Sequence, residues 1–397
     1  MSLQLSLFTK DQQVIDLCIQ YWQLDADDSF LYKVSDLDLP QEVSLHSIAS
    51  FVRENCNAYD PEITCTDCGE AYSYKSRSDY EQHLRQQSEW MCEECQQARI
   101  EYKRALQKAA EDEKQSLIQR TYGANQRIPI VVHKSISFRE AVSLLALLRL
   151  NASEDLSMIH PVDPTNGVYA PTTDLAINLL KLLHKSNLIK VHPSSPLNAF
   201  DADINTFYLF RVKWWSPIDE NGNTAGIIND VESIFRNRSW PIEWYDDAYR
   251  FWCEIALHEC LQYLQMCLVE HGFEFTAGDK TKQMFDNVLK SYSISQVYSF
   301  IWRAAKDAAA YYMRDRVSKA QAANSVVGSI QRMADKASAA KWDIDYYRRD
   351  RRSPESMVSH VMYHVALALG DRGIDHIPYS FINSLDACYD DESNPLE

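Results

Sequence analysis

Four cysteines carry the clearest chemistry in this sequence. Cys65-Thr66-Asp67-Cys68 is followed directly by Gly69, and 23 residues later comes Cys92-Glu93-Glu94-Cys95. Thiols in a Cys-x-x-Cys pair sit on one tight knuckle, and two knuckles bring four sulfurs onto one tetrahedral ion. A redox-quiet set of four thiolates suits zinc, and the thiols must deprotonate to bind it, so metal and local fold form together. Four cysteine ligands leave no position open for water, so the expected zinc is structural rather than catalytic. Two disulfides or an iron–sulfur cluster fit this spacing less well.

Basic residues form the second group with chemical potential. The net charge is −16, which argues against a protein coated in nucleic acid, but the distribution is uneven. Residues 301–352 carry a surplus of six positive charges, whereas 1–60, 216–300 and 353–397 each carry an excess of seven negative ones. Any polyanion site is therefore expected in 301–352. Its densest part is Arg348-Arg349-Asp350-Arg351-Arg352, beside Tyr346 and Tyr347. Guanidinium forks next to aromatic rings suit phosphates and exposed bases. A second set is Asn178, Lys181 and Lys185, spaced to form a polar stripe along one side of a helix whose other side is leucine-rich.

Other chemistry is excluded by spacing. His258-Glu259 begins a zincin-like pattern, but Gln262 stands where the second histidine is required. Glu254 and His258, four apart, read as a helix-surface pair. No phosphate-binding glycine loop and no nucleophile elbow occurs. Cys253, Cys260 and Cys267 repeat every seven residues and read as small buried apolar groups.

The elements that must position these residues are mostly helices. With only 10 Gly and 13 Pro in 397 residues, long helices are favoured over a sandwich or barrel, and the length calls for two to four domains. The expected fold is mainly α and multidomain: a small helical module over 1–60, a four-cysteine zinc module over 61–100, a connecting helix over 101–127, a winged-helix-like α+β domain over 128–218, and an all-helical bundle over 230–397. Helices are expected near 241–271, 279–314, 317–340 and 354–370, with a frayed acidic tail over 386–397. No apolar run is long enough to span a membrane, and Met1-Ser2-Leu3-Gln4 does not begin a secretory signal, so a cytoplasmic location is expected.

Three stretches resemble known modules. Residues 61–100 resemble zinc-ribbon or treble-clef knuckles. HNH nucleases also carry paired Cys-x-x-Cys, but their chemistry needs a histidine between the knuckles and usually another after them. Only His83 lies between, inside Tyr80-Glu81-Gln82-His83-Leu84, and Gln96 follows Cys95, so that reading is set aside. The three short apolar-faced segments before residue 54 resemble a helix-turn-helix. The helix–helix–hairpin order after residue 136, with Asn187-Leu188-Ile189-Lys190-Val191 leading into the hairpin, resembles a winged helix. That resemblance implies base contact by Asn178 and phosphate or guanine contact by Lys181 and Lys185. The wing's Asp201 and Asp203 depart from a DNA-contacting wing.

Three functions follow as expectations. The first is a zinc-stabilised, nucleic-acid-binding regulatory or recognition protein, with DNA the favoured polymer, alone or within a nucleoprotein complex; Asn178, Lys181, Lys185, Arg348, Arg349, Arg351 and Arg352 make the contacts. The second is a protein–protein scaffold, which the acidity favours. The third is an enzyme in the helical half, for which no catalytic residues are nominated.

Overall fold

The computed structural model describes residues 3–40, 43–84, 90–123, 128–129, 136–163, 168–219 and 224–378. The fold is mainly α, with small sheets, and its contacts divide the chain into two units, Met1–Asp112 and Glu113–Glu397. Among the described residues no helix is long and apolar enough to cross a membrane. The acidic tail over 386–397 lies outside the described residues.

The first unit is built on an antiparallel sheet of β1 (Gln4–Leu7), β2 (Cys56–Thr64) and β3 (Ala71–Tyr74), in that order. Two helices pack with it: α1 (Gln12–Trp22), capped by the Asp11 carboxylate accepting from Gln13 N, and α2 (Ile48–Asn55). Leu17, Cys18, Trp22, Val52 and Tyr74 fill the space between. The Arg77 guanidinium, nearly buried, stacks on the Tyr21 and Phe30 rings and donates to the Tyr21 and Tyr32 carbonyls at 2.7 and 2.6 Å.

This corrects the reading of 1–60 as a helix-turn-helix-like module separate from the zinc segment. The second expected helix is a single 3-10 turn, Val34–Asp36. The sheet also joins the two segments, because Ala58 of β2 pairs with Tyr74 of β3. The inward residues of β2 are Cys56, Ala58 and Asp60. Small and polar side chains there hide the two-residue alternation by which a strand is recognised.

α3 (Arg77–Leu84) and the long α4 (Glu93–Tyr122) follow, and α4 crosses the division between the units. In the second unit α5 (Phe138–Asn151) starts at a reciprocal cap between Ser137 and Glu140, and α6 (Thr173–Lys185) starts at Thr172. β4 (Ile128–Pro129) pairs parallel with β7 (Ile218–Asp219), and β5 (Lys190–Val191) pairs antiparallel with β6 (Trp214–Trp215). Trp214 also bridges Ile159 on its other edge, so the order across this small sheet is Ile159, β6, β5.

The rest is helical: α7 (Thr224–Arg236), α8 (Ile242–Glu270), α9 (Asp279–Val288), α10 (Ile294–Asp315), α11 (Lys319–Ala340) and α12 (Met357–His360), which runs on into a π-helical turn over Val361–Ala366. α10 and α11 form a helical hairpin lined by Ala304, Ala305, Ala308, Ala322 and Ala323, whose small side chains allow close approach. The expected helix over 279–314 is two helices, because Ser293 and Gln296 form a capping box that restarts the chain. One apolar core runs from Ile118 to Ile374, so the winged-helix-like and C-terminal segments are not separate domains.

Candidate functional site

The four cysteines converge, each offering its sulfur within 4.8 Å of the others. Cys65 leaves the end of β2, and Gly69 N–H closes the first knuckle on the Cys65 carbonyl at 3.0 Å. Gly69 takes φ +75°, a left-handed conformation that glycine adopts without strain. Cys92 and Cys95 flank the start of α4, whose N-terminal dipole favours thiolate. Backbone N–H groups point at sulfur: Cys92 N reaches Cys65 Sγ at 3.3 Å, and Cys95 N reaches Cys92 Sγ at 3.4 Å. Donation from the Cys68 backbone is the chief reason that the Cys65 thiol titrates low, at about 6. Crowding works the other way on Cys95, pushed up by hydrogen bonding to Cys92 and then Cys68, a repulsion that a bound cation relieves.

The spacing fits a metal. Cys68 and Cys92 sulfurs are 3.7 Å apart, and a tetrahedron with metal–sulfur bonds of about 2.3 Å has edges of about 3.8 Å. Outside the ligands, Arg99 pairs with Asp67 of the first knuckle, and the Tyr72 and Trp90 rings meet edge to face at 4.9 Å. His83 lies on α3, as expected.

The arginine cluster separates into residues with different roles. α11 ends at Lys341 with φ 51°, and residues 341–356 run without a helix or strand. Arg349 turns inward and pairs with Glu259 of α8, whose side chain is 0% exposed. The same carboxylate accepts from Tyr298 Oη at 2.9 Å and Ser359 Oγ at 2.5 Å. Arg349, expected from the sequence to contact nucleic acid, instead neutralises a buried carboxylate. Arg352 is exposed but ion-paired with Asp350 at 2.9 Å and Glu270 at 3.1 Å. Arg348 and Arg351 are exposed and, among the described residues, have no ion-pair partner.

Beside Arg348 opens a cleft of about 420 Å³ whose lining includes Trp302, Tyr346, Tyr347 and Arg348 together with Glu270 and Asp350, which pair with Arg352. Trp302 and Tyr346 remain 39% and 57% exposed. Lys306 Nζ lies 4.6 Å from the centre of the Trp302 ring, a cation–π contact at the same place.

On α6, Leu175, Leu179, Leu180 and Leu183 are buried while Asn178, Lys181 and Lys185 are exposed, the division expected from spacing. The segment leading to β6 is held against the second unit's part of α4. Lys114 Nζ donates to the Phe200 carbonyl at 3.2 Å, and Tyr122 Oη donates to the Ile204 carbonyl at 2.8 Å. Those contacts leave the loop bearing Asp201 and Asp203 braced rather than projecting.

Glu254 and His258 do not form a surface pair. Glu254 pairs with Arg139 at 2.8 Å, while His258 is buried with Nδ1 2.5 Å from Thr172 Oγ1. Burial pushes His258 down to about 4, so the imidazole is neutral near pH 7. A further cluster, Glu355, His360 and His364, was not read from the sequence. Its signal was His-x-x-x-His on a helical segment.

No protein family model matches this chain, and no curated protein or solved structure matches it.

Proposed function

We propose that this chain is a zinc-stabilised nucleic-acid-binding protein with a regulatory or recognition role, DNA being the favoured polymer, alone or in a nucleoprotein complex. The observation that carries the reading is the cleft in which exposed Trp302 and Tyr346 stand beside Arg348, which has no ion-pair partner among the described residues. Aromatic faces accept unstacked bases of any sequence, and arginine holds the adjoining phosphate. Arg351, exposed and likewise without an ion-pair partner among the described residues, adds a second cation to the same segment.

Two further features support it. The order Ile159, β6, β5, with α6 before β5, supports reading this segment as a minimal winged helix; Asn178, Lys181 and Lys185 lie on the exposed face of α6, which would then be the recognition helix. Four sulfurs with no carboxylate or imidazole among them favour zinc, and a knuckle followed by a helix bearing the second pair favours a treble clef. Zinc there fixes the local fold and supplies no reaction.

The braced loop with Asp201 and Asp203 and the net charge of −16 favour a second reading, docking to a protein partner. Charge reversal separates the two. Arg348→Glu with Arg351→Glu should abolish oligonucleotide binding, and Lys181→Glu with Lys185→Glu should weaken duplex binding more than single-strand binding. Unchanged affinity in both pairs would leave the docking reading in its place.

A further inference from the structure

We propose that Glu355, His360 and His364 form a second metal site, for a divalent transition ion of the zinc class. It is independent of the four cysteines and goes beyond the nucleic-acid reading. Both imidazoles converge on one oxygen: His360 Nδ1 lies 3.2 Å and His364 Nε2 3.3 Å from Glu355 Oε2. A tetrahedral ion with bonds of about 2.0–2.1 Å to nitrogen and oxygen has ligand–ligand edges of about 3.3 Å. Both nitrogen–oxygen edges thus already stand at coordination spacing, and all three ligand atoms lie within 4.8 Å of one another. Two imidazoles and a carboxylate suit zinc, iron or nickel rather than magnesium or calcium, which take oxygen ligands.

Three further observations point to a ligand. His364 Nε2 is buried and makes no hydrogen bond, although Glu355 Oε2 is near it. A buried ring nitrogen that faces a carboxylate without a formed hydrogen bond is costly, and a cation between the two satisfies both. The backbone is also specialised here. A π-helical turn spans Val361–Ala366, and His360 and His364, four apart on one helical face, stack their rings at 4.3 Å with 21° between their planes. Single π-turns inside helices are often functional. Finally, Glu355 is held from behind, because Arg349 lies 3.7 Å from its other oxygen, leaving Oε2 to the imidazoles.

The three side chains are between 25% and 41% exposed, so an ion can reach them from solvent. Asp371 Oδ1, fully exposed and 3.6 Å from His364 Nε2, is placed to become a fourth ligand, or to hydrogen-bond a water that fills that position. Unlike the four-thiolate set, this one leaves room for an exchangeable ligand.

The test is cobalt(II) titration of the full chain, read by absorption spectroscopy together with metal counting by mass spectrometry. Thiolate ligation gives sulfur-to-cobalt charge transfer in the near ultraviolet, whereas imidazole–carboxylate ligation gives only weaker visible bands. The expected result is two ions per chain. Cys65→Ser should remove the charge-transfer band and leave the visible bands of the second site. Glu355→Gln and His364→Ala should each do the reverse, with native far-ultraviolet circular dichroism retained. Absence of the second set of bands from the wild-type chain, or their persistence in both folded variants, would overturn the proposal.

Discussion

Arg349→Ala separates the buried arginine from its neighbours in the same five-residue run. Arg349 is 16% exposed and faces a carboxylate that is 0% exposed, so the substitution strands Glu259 in the core with only Tyr298 and Ser359 donating to it. Removing one member of a buried pair costs about 3–5 kcal/mol, mostly the penalty on the charge left behind. Against a typical domain stability of about 5–15 kcal/mol, that is a large loss. Adding Glu259→Gln to Arg349→Ala should recover much of it by discharging the stranded carboxylate. Arg348→Ala, at an exposed site without an ion-pair partner, should stay within about 0.5 kcal/mol of the wild type. The assay is urea unfolding followed by tryptophan fluorescence, with oligonucleotide binding measured on each variant at low urea. The expected pattern is a crossed one: Arg349→Ala loses stability and keeps affinity, and Arg348→Ala does the opposite. A cost below about 1 kcal/mol for Arg349→Ala, with affinity reduced as in Arg348→Ala, would refute the assignment of Arg349 to the core.

Three other outcomes are expected. His258 binds its proton less readily folded, near pH 4, than unfolded, near the ordinary value of about 6.5. Its contribution is therefore complete above pH 6.5 and is lost as pH falls toward 4, about 3 kcal/mol in all, so His258→Gln should flatten the stability–pH curve in that window by denaturant titration. Cys65→Ser should release the metal and abolish hydrogen-exchange protection around Cys56–Thr64 and the start of α4, while amides of α8 and α10 keep theirs; full metal retention would contradict the four-thiolate site. Gly373→Ala would place a methyl group 2.5 Å from Tyr363 Cγ, deep in the core under the π-helical turn, and should cost about 1–3 kcal/mol in thermal unfolding.

What could be read from the chain follows from how local each signal is. The cysteine pairs were legible because knuckle geometry depends on spacing alone, and the ends of α8 were legible because Pro241 opens it and His271-Gly272 closes it. α7 lies outside the expected helix ranges, although Ile227, Val231, Ile234 and Phe235 recur at helical spacing just beyond the turn residues Asn221-Gly222-Asn223. The sheet of the first unit was missed because its central strand turns cysteine, alanine and aspartate inward. Arg349 could not be told from Arg348 or Arg351 by sequence. Its partner lies 90 residues away on α8, and only the folded chain shows which of four similar arginines enters the core. The Glu355–His360–His364 cluster carried a local signal in His360-x-x-x-His364, but the addition of Glu355, from before the helix, is seen only in the folded chain.

The central claim, that the chain binds nucleic acid through the cleft beside Arg348 and Arg351, is tested most directly by fluorescence anisotropy. A labelled single-stranded oligonucleotide is titrated with the full chain over a range of salt concentrations, alongside duplex DNA and RNA. The account predicts affinity falling linearly with the logarithm of salt, and a slope reduced by about 1.4 in Arg348→Glu with Arg351→Glu, the share of two single-strand phosphate contacts. Weak binding to all three polymers, flat with salt and indifferent to that double substitution, would contradict it.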